Sequence, residues 1–230
     1  MIDLHSHLLP FVDDGSDSVE TSLTLLRECE EMGVTDVVLT PHYKNPYKKT
    51  PEELKEVFNS FVKRKEENGI GVNLYLGSEL HDSKNLKSRI KNGEVLTING
   101  TKFVLVEFDY FNRTDITETI YSLVHSGYVP IIAHAERYVY FTLDEVIEAK
   151  SLGALVQVNA SSIVGDAGKG SKKTARKLFK NSLVDFVASD MHMSRTNYLL
   201  EAKKIVEKKY GKDIAEKVFC KNAKSIIGQA

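Results

Sequence analysis

The sequence predicts an α/β fold, a closed or nearly closed (β/α)7 barrel, and three observations carry that expectation. Seven short apolar runs cross the chain, helical stretches alternate with them, and six of the runs lead directly into a histidine or an acidic residue. Strands alternating with helices imply right-handed crossovers and a parallel sheet. A barrel of this kind gathers its chemistry at the rim formed by the C-terminal ends of its strands, which is where the six polar residues fall. A doubly wound open sheet is the alternative. At 230 residues, 42% of them hydrophobic, the chain can bury one large core, and a single domain over residues 1–230 is expected.

Each element has a local reason. The first strand spans about Ile2–His7. A helix follows from about Ser18 to Met32, with Val19, Leu23, Leu26 and Cys29 near helical spacing and Gly33 as its stop. Asp36–Thr40 reads as the second strand. Thr50-Pro51-Glu52-Glu53 is a capping box with proline at the first helical position. Behind it, Leu54, Val57, Phe58, Phe61 and Val62 form the apolar stripe of a helix that covers a core. Val72–Leu76 is the third strand. A short helix near Lys84–Lys91 follows, and Asn99-Gly100 suggests a local hairpin. Phe103–Phe108, Val129–Ala133, Ala154–Asn159 and Leu183–Ala188 are the remaining strands. Helices at Asp115–Ser126, after the Thr142/Glu145 capping box, and at Ser171–Lys180 separate them, and the chain ends in helices with a break near Gly211.

Composition excludes several classes. Lys+Arg is 31 against 32 Asp+Glu, a net charge of -1, which leaves no electrostatic footprint for nucleic acid. No apolar run approaches the ~18 residues of a membrane span, and the N-terminus has no basic-then-apolar leader. Cys29 and Cys220 are the only cysteines, too few for a disulfide framework. A cytoplasmic location follows as the simplest expectation. Neither cysteine is followed by the arginine that would frame a cysteine-phosphatase loop, and no P-loop is present.

The polar residues after the strands have the composition of a metal site. His5 and His7 lie two apart on a strand and face one side. Asp190 and His192 repeat that spacing on the last strand, so in a closed barrel the two pairs meet across the seam. His42, Glu79, Glu107 and His134 end the strands between them. Imidazole and carboxylate without thiolate suit Mn, Fe or Zn. The number of donors exceeds the needs of one ion, and two metals close together suit hydrolysis of a phosphate ester.

Met1-Ile2-Asp3-Leu4-His5-Ser6-His7, Val12-Asp13-Asp14-Gly15, His134-Ala135-Glu136-Arg137-Tyr138, Gln157-Val158-Asn159 and Ser189-Asp190-Met191-His192 together resemble the PHP (polymerase and histidinol phosphatase) superfamily. Within it they are similar to the bacterial manganese-dependent protein tyrosine phosphatases of capsule and exopolysaccharide operons. The resemblance spans nearly the whole chain. It implies a PHP-type distorted (β/α)7 barrel holding three metal ions, with Mn2+ expected and Fe or Zn as alternatives. By resemblance, one ion takes His5, His7, Glu107 and Asp190, a second Asp14, His42 and His192 with Glu79 nearby, and a third His134 with Glu79 and Glu107. Read alone, Asp13-Asp14-Gly15 is a turn. The resemblance also implies that Arg137 and Arg195 hold the substrate phosphate, although Arg195 follows His192 more closely than in other members and Met193 replaces a polar residue. The implied partner is a tyrosine-phosphorylated bacterial kinase that controls polysaccharide synthesis. A histidinol-phosphatase-like monoesterase and a non-catalytic kinase-binding regulator are the competing functions. His81 reads as a surface-loop histidine or a pocket residue, and Asn159 as a hydrogen-bonding support or a helix cap. Tyr43, Tyr47, Tyr138 and Tyr140 are possible aromatic rim residues. Nothing in the sequence fixes the oligomeric state.

Overall fold

The computed structural model describes residues 1–228. The strands are β1 (Ile2–Ser6), β2 (Asp36–Leu39), β3 (His42–Tyr43), β4 (Asn73–Leu76), β5 (Glu79–His81), β6 (Phe103–Glu107), β7 (Val129–Ile132), β8 (Leu155–Asn159) and β9 (Phe186–Ala188). Two parallel sheets result, ordered β1-β2-β4 and β3-β5-β6-β7-β8-β9. Hydrogen bonds from Gly77 N to Leu39 O (2.9 Å) and from Glu79 N to Pro41 O (3.1 Å) carry the ladder from the first sheet into the second. At the other end, His7 N donates to Met191 O and Asp190 N to His5 O, both at 2.9 Å. The parallel sheet is therefore curled, and its first and last strands meet.

The expected second and third strands form as β2 and β4, and each is followed by a further short strand, β3 or β5, that was not expected. Pro41 has no N–H and interrupts the ladder between β2 and β3. Gly77, between β4 and β5, keeps its ladder bond to Leu39 O and lets the backbone pass close to Ile98, where a Cβ would lie 3.0 Å from the Ile98 side chain and 3.2 Å from its Cα. The expected hairpin at Asn99-Gly100 is absent. Those residues form a single 3-10 turn, Ile98–Gly100, with Asn99 at φ 48°. The strands flanking it, β5 and β6, pair in parallel, so this connection is a crossover that seats Ile98 in the core.

The helices are α1 (Val19–Glu31), α2 (Pro51–Glu67), α3 (Leu86–Lys91), α4 (Ile116–Val124), α5 (Leu143–Ser151), α6 (Ala160–Val164), α7 (Lys169–Lys180), α8 (Leu199–Tyr210), α9 (Lys212–Glu216) and α10 (Asn222–Ile227). Both capping boxes form, at Thr50/Glu53 and Thr142/Glu145, and Gly211 separates α8 from α9. The five-residue α6 has too few residues to show periodicity and was not legible in the sequence. Among the described residues, no helix is long and apolar enough to cross a membrane.

Two apolar clusters sandwich the sheet. The outer one joins the strands to the surrounding helices and includes Leu26, Phe61, Val104, Val106 and Leu178. The inner one is lined by Ile2, Leu4, Val38, Phe103, Leu105, Ile131 and Phe186 and is closed by Ile226 and Ile227 of α10. Phe61 on α2 is 1% exposed. Phe61→Ala is expected to cost about 3–5 kcal/mol of unfolding free energy, and Thr50→Ala, which loses one cap, about 1 kcal/mol. Denaturant titration checks both, and equal costs would contradict this account of the outer core.

Candidate metal centre

The inner apolar face runs directly into the polar cluster. Side chains alternate along a strand, so the residues that follow Val38, Leu105 and Phe186 in register on the inner face are His42, Glu107 and Asp190. Two groups of the expected metal residues break this parity. The register of β1 against β2 shifts between Asp3 and Ser6, a bulge that re-aims the strand. Leu4 lies in the inner cluster, and one residue later His5, then His7, still turn inward. On β7, Ala133 lies inside, so His134 would face out. It turns inward because its φ is +33°. Asp190 also has positive φ, +52°. Left-handed backbone is rare for a β-substituted residue and collects at functional sites.

The structure brings together all nine of the expected metal residues. His5, His7, Glu79, Glu107, His134, Asp190 and His192 are buried. Three groups have donor atoms within 4.8 Å of one another: His5, His7 and Asp190; His7, His42 and His192; His42, Glu79 and Glu107. Asp14 sits at the open edge, with its side chain 51% exposed and Oδ1 3.6 Å from His42 Nε2 and 3.8 Å from His192 Nε2. Glu107 keeps Glu79 and, at 3.9 Å, His134 as neighbours, as the third expected set has it, but is not in the group of His5, His7 and Asp190. It lies with His42 and Glu79, and its carboxylate accepts from the Lys44 ammonium at 2.9 and 3.3 Å.

Hydrogen bonds fix the ring nitrogens. His5 Nδ1 donates to Gln157 Oε1 (3.1 Å), His7 Nδ1 to Asp13 Oδ2 (2.7 Å) and His192 Nδ1 to the Asp190 carbonyl (3.0 Å). On the neutral ring each bond leaves the lone pair on Nε2, the arrangement that second partners impose on metal-binding imidazoles. His5 Nε2 and His7 Nε2 then converge to 3.1 Å. His42 Nδ1, Glu79 Oε2 and His192 Nε2 are buried without a hydrogen-bond partner, even though the first two are 2.6 Å apart. Buried orphan acceptors are costly. Three in one place, all nitrogen or carboxylate oxygen, fit divalent metal ions such as Mn, Fe or Zn.

The charges agree with that reading. Burial opposes ionisation of Glu79, yet His5, His134 and His42 around it hold its carboxyl well below the usual range. Asp190 is likewise held low against burial, chiefly by His5 and Arg195. His7 is pushed up to about 10, because the adjacent Asp13 and Glu79 outweigh burial. His192 is pushed down to about 4, by burial and then by the charge on His7.

Both expected arginines reach this centre. Arg195 Nη1 lies 2.7 Å from Asp190 Oδ2, and Arg137 Nη1 lies 3.5 Å from it. They line a cavity of about 210 Å³ with Ser161, Asp166, Ala167, Ser189 and Thr196. Arg137 also stacks over Tyr110, 4.5 Å from the ring centroid. Tyr110 was not singled out from sequence. Its hydroxyl donates to Glu107 Oε1 at 3.1 Å and lies 3.1 Å from His134 Nε2.

Other residues take defined places. Asp13 is buried behind His7 and Asp14 faces the open edge, which separates two carboxylates that look alike in sequence. Asn159 donates to Asp190 Oδ2 (2.8 Å) and receives Gln157 Nε2 on its own oxygen (2.7 Å). It therefore supports the cluster and makes no side-chain cap. His81 touches Glu107 at 3.4 Å, so it belongs to the pocket. Tyr138 is a core residue whose hydroxyl accepts from Phe108 N and lies 3.1 Å from His134 Nδ1. The Cys29 thiol is buried and pushed up by that burial, unsuited to nucleophilic chemistry.

Comparison with known proteins gives the family. Residues 1–228 match the family described as "Capsular polysaccharide synthesis, CpsB/CapC". The putative tyrosine-protein phosphatase CapC of Staphylococcus aureus is 35% identical over 233 residues, covering 99% of this chain and 91% of that protein. The tyrosine-protein phosphatase CpsB of Streptococcus agalactiae is 35% identical over 240 residues, covering 99% and 98%. A crystal structure from work on YwqE of Bacillus subtilis and CpsB of Streptococcus pneumoniae, described as unique metal-dependent tyrosine phosphatases, superposes with a TM-score of 0.94 at 29% identity. It covers 99% of this chain and 94% of that one.

Asp13→Ala is expected to weaken metal affinity about 10–100-fold with the fold retained, because His7 loses the partner that fixes its ring. Metal titration monitored by calorimetry measures this, and unchanged affinity would remove Asp13 from that role. Gly15→Ala should disrupt the same loop outright, since its Cβ would fall 2.0 Å from His7 O.

Proposed function

The chain belongs to the CpsB/CapC family of capsular polysaccharide synthesis, and on that premise we propose the following working form for it. It is a metal-dependent protein tyrosine phosphatase, a phosphoric monoester hydrolase. One PHP-type domain spans residues 1–230, with the curled sheet acting as a distorted (β/α)7 barrel. Its target is a tyrosine-phosphorylated bacterial kinase that regulates capsule or exopolysaccharide synthesis, met in the cytoplasm. The observation that carries this reading is the convergence of unpaired imidazole nitrogens and carboxylates beside a cavity walled by two arginines.

The resident metals are three ions, with Mn2+ preferred. His5, His7, Asp14, His42, Glu79, Glu107, His134, Asp190 and His192 hold them. Bound there, divalent ions lower the pKa of water and neutralise charge on phosphoryl oxygens. The rest of the mechanism belongs to the chain. Arg137 and Arg195 receive the phosphate, and their planar forks match its oxygens in pairs. In the structure both are turned to Asp190, so an arriving phosphate exchanges one anionic partner for another. Tyr110 holds the Arg137 guanidinium from beneath. The open side at Asp14 admits a tyrosine that is part of a polypeptide, and its phenolate leaves more readily than an alkoxide because tyrosine has a pKa of about 10.

Several outcomes test this. A chelator should abolish hydrolysis of p-nitrophenyl phosphate, and Mn2+ should restore it. Full activity in metal-stripped protein would refute the mechanism. Because His7 is held protonated up to about pH 10, metal uptake must release protons, and apparent affinity should rise with pH through neutrality. Arg137→Ala should lower turnover by roughly 10²-fold or more with metals retained, and Arg137→Lys should recover little. Phosphotyrosine peptides should be better substrates than phosphoserine peptides or histidinol phosphate. A preference for histidinol phosphate would move the assignment to a small-molecule monoesterase.

A further inference from the structure

The near-zero net charge of the chain conceals a strong separation. Residues 1–160 hold 16 Lys and Arg against 25 Asp and Glu, whereas residues 161–230 hold 15 against 7. The positive charge concentrates on α7. Lys169, Lys172, Lys173, Arg176, Lys177 and Lys180 recur at spacings of three and four, and they alone line a shallow depression of about 450 Å³. Ala175, Leu178 and Phe179 anchor the opposite face. The stripe runs roughly 16 Å along the helix at 1.5 Å per residue.

This arrangement works against the helix itself. Like charges four apart repel, and cations in the first turn oppose the helix dipole. The first turn of α7 has no acidic residue. Among the described residues, none of the six cations forms an ion pair with a carboxylate. The neighbouring Lys209 on α8 is held below the usual lysine range by burial and by the charges of Arg176, Lys172 and Lys208. Local rules are broken in this way where a surface serves a ligand.

The stripe also begins at the phosphate cavity. Asp166 and Ala167, which line that cavity with Arg137 and Arg195, lead through Gly168 into the first turn of α7. The helix packs against the 3-10 turn Ala135–Arg137. We propose that the basic face of α7 docks an acidic segment of the polypeptide that carries the phosphotyrosine, making this a phosphatase for acidic phosphotyrosine sequences. The inference rests on the function proposed above. Lysine predominates over arginine, and mobile point charges suit a run of carboxylates better than one fixed planar anion.

The test compares two phosphotyrosine peptides, one flanked by glutamates and one by glutamines, with p-nitrophenyl phosphate as control. The wild-type protein should favour the acidic peptide roughly tenfold in kcat/KM, through KM, and the preference should shrink in 0.5 M salt. The triple variant Lys173→Gln, Arg176→Gln, Lys177→Gln should lose the preference and keep wild-type hydrolysis of p-nitrophenyl phosphate. Glutamine is a good helix former, so α7 persists, and circular dichroism checks it. Charge reversal with glutamate at the same positions should turn the preference against the acidic peptide. Equal kcat/KM for both peptides in wild type, or a preference that survives the triple variant, overturns the proposal. So does a triple variant that loses only sedimentation with phosphatidylserine vesicles, which would make α7 a membrane-facing surface. Failure to hydrolyse any phosphotyrosine would instead refute the underlying function.

Discussion

Charge balance in a small buried volume is the constraint from which the rest of this structure follows. Five imidazoles and the carboxylates of Glu79, Glu107 and Asp190 converge where the sheet curls on itself, and the three acids are at most 3% exposed. An isolated carboxylate cannot be buried at that depth without compensation. Here each acid leans on cations: Glu79 on histidines, Glu107 on Lys44 and His81, Asp190 on two arginines. Such a site holds together only with protons, arginines or metal ions inside it. The raised His7 and the depressed Glu79 express one fact, that the cluster favours positive charge.

The fold supplies this concentration cheaply because a parallel curled sheet has one inner face. Apolar residues fill its lower part, and the next inward positions carry the imidazoles and carboxylates of the cluster. The cost appears where parity fails. A bulge in β1 and left-handed backbone at His134 and Asp190 bring in side chains that regular strands would send outward or past the site. These distortions persist because the surrounding ladder over-determines them: Asp190 N is tied to His5 O, and His134 N donates to Gln157 Oε1 at 2.8 Å. β8 contributes no ionisable residue to the cluster. It contributes the amides of Gln157 and Asn159, which link His5, His134 and Asp190 into one hydrogen-bonded unit and orient them without adding charge.

The arginine cavity and the basic helix extend the same electrostatic logic outward. Asp190 draws Arg137 and Arg195 to the edge of the cluster, and α7 continues the positive surface from there down the side of the molecule. Arg137 sits between the two. Its guanidinium rests on Tyr110, and the turn that carries it is backed by α7. The buried cluster, the arginine cavity and the basic helix therefore meet at one short segment, Ala135–Arg137.

The sequence by itself determined the alternation of strands and helices, both capping boxes, the break at Gly211 and the residues that end the strands. These are local matters of periodicity, capping and breaker residues. It placed a polar residue after six of seven apolar runs, and the structure gathers those residues into one cluster. Only tertiary structure decided how they meet. The bulge and the positive-φ turns follow from closure of the sheet and leave no periodic trace. The parting of Asp13 from Asp14, one behind His7 and the other at the open edge, depends on a loop pressed so closely to His7 that Gly15 has no room for a side chain. Tyr110 and Lys44 reach the centre from loops, Gln157 from a strand facing it, and His81 at the end of β5 joins the pocket through Glu107. The hairpin expected at Asn99-Gly100 gave way because those residues join parallel strands, a long-range pairing that overrides a local turn preference. Chemistry was legible wherever it depended on residue type at a strand end; geometry was not, because it is set by contacts between residues far apart in the chain.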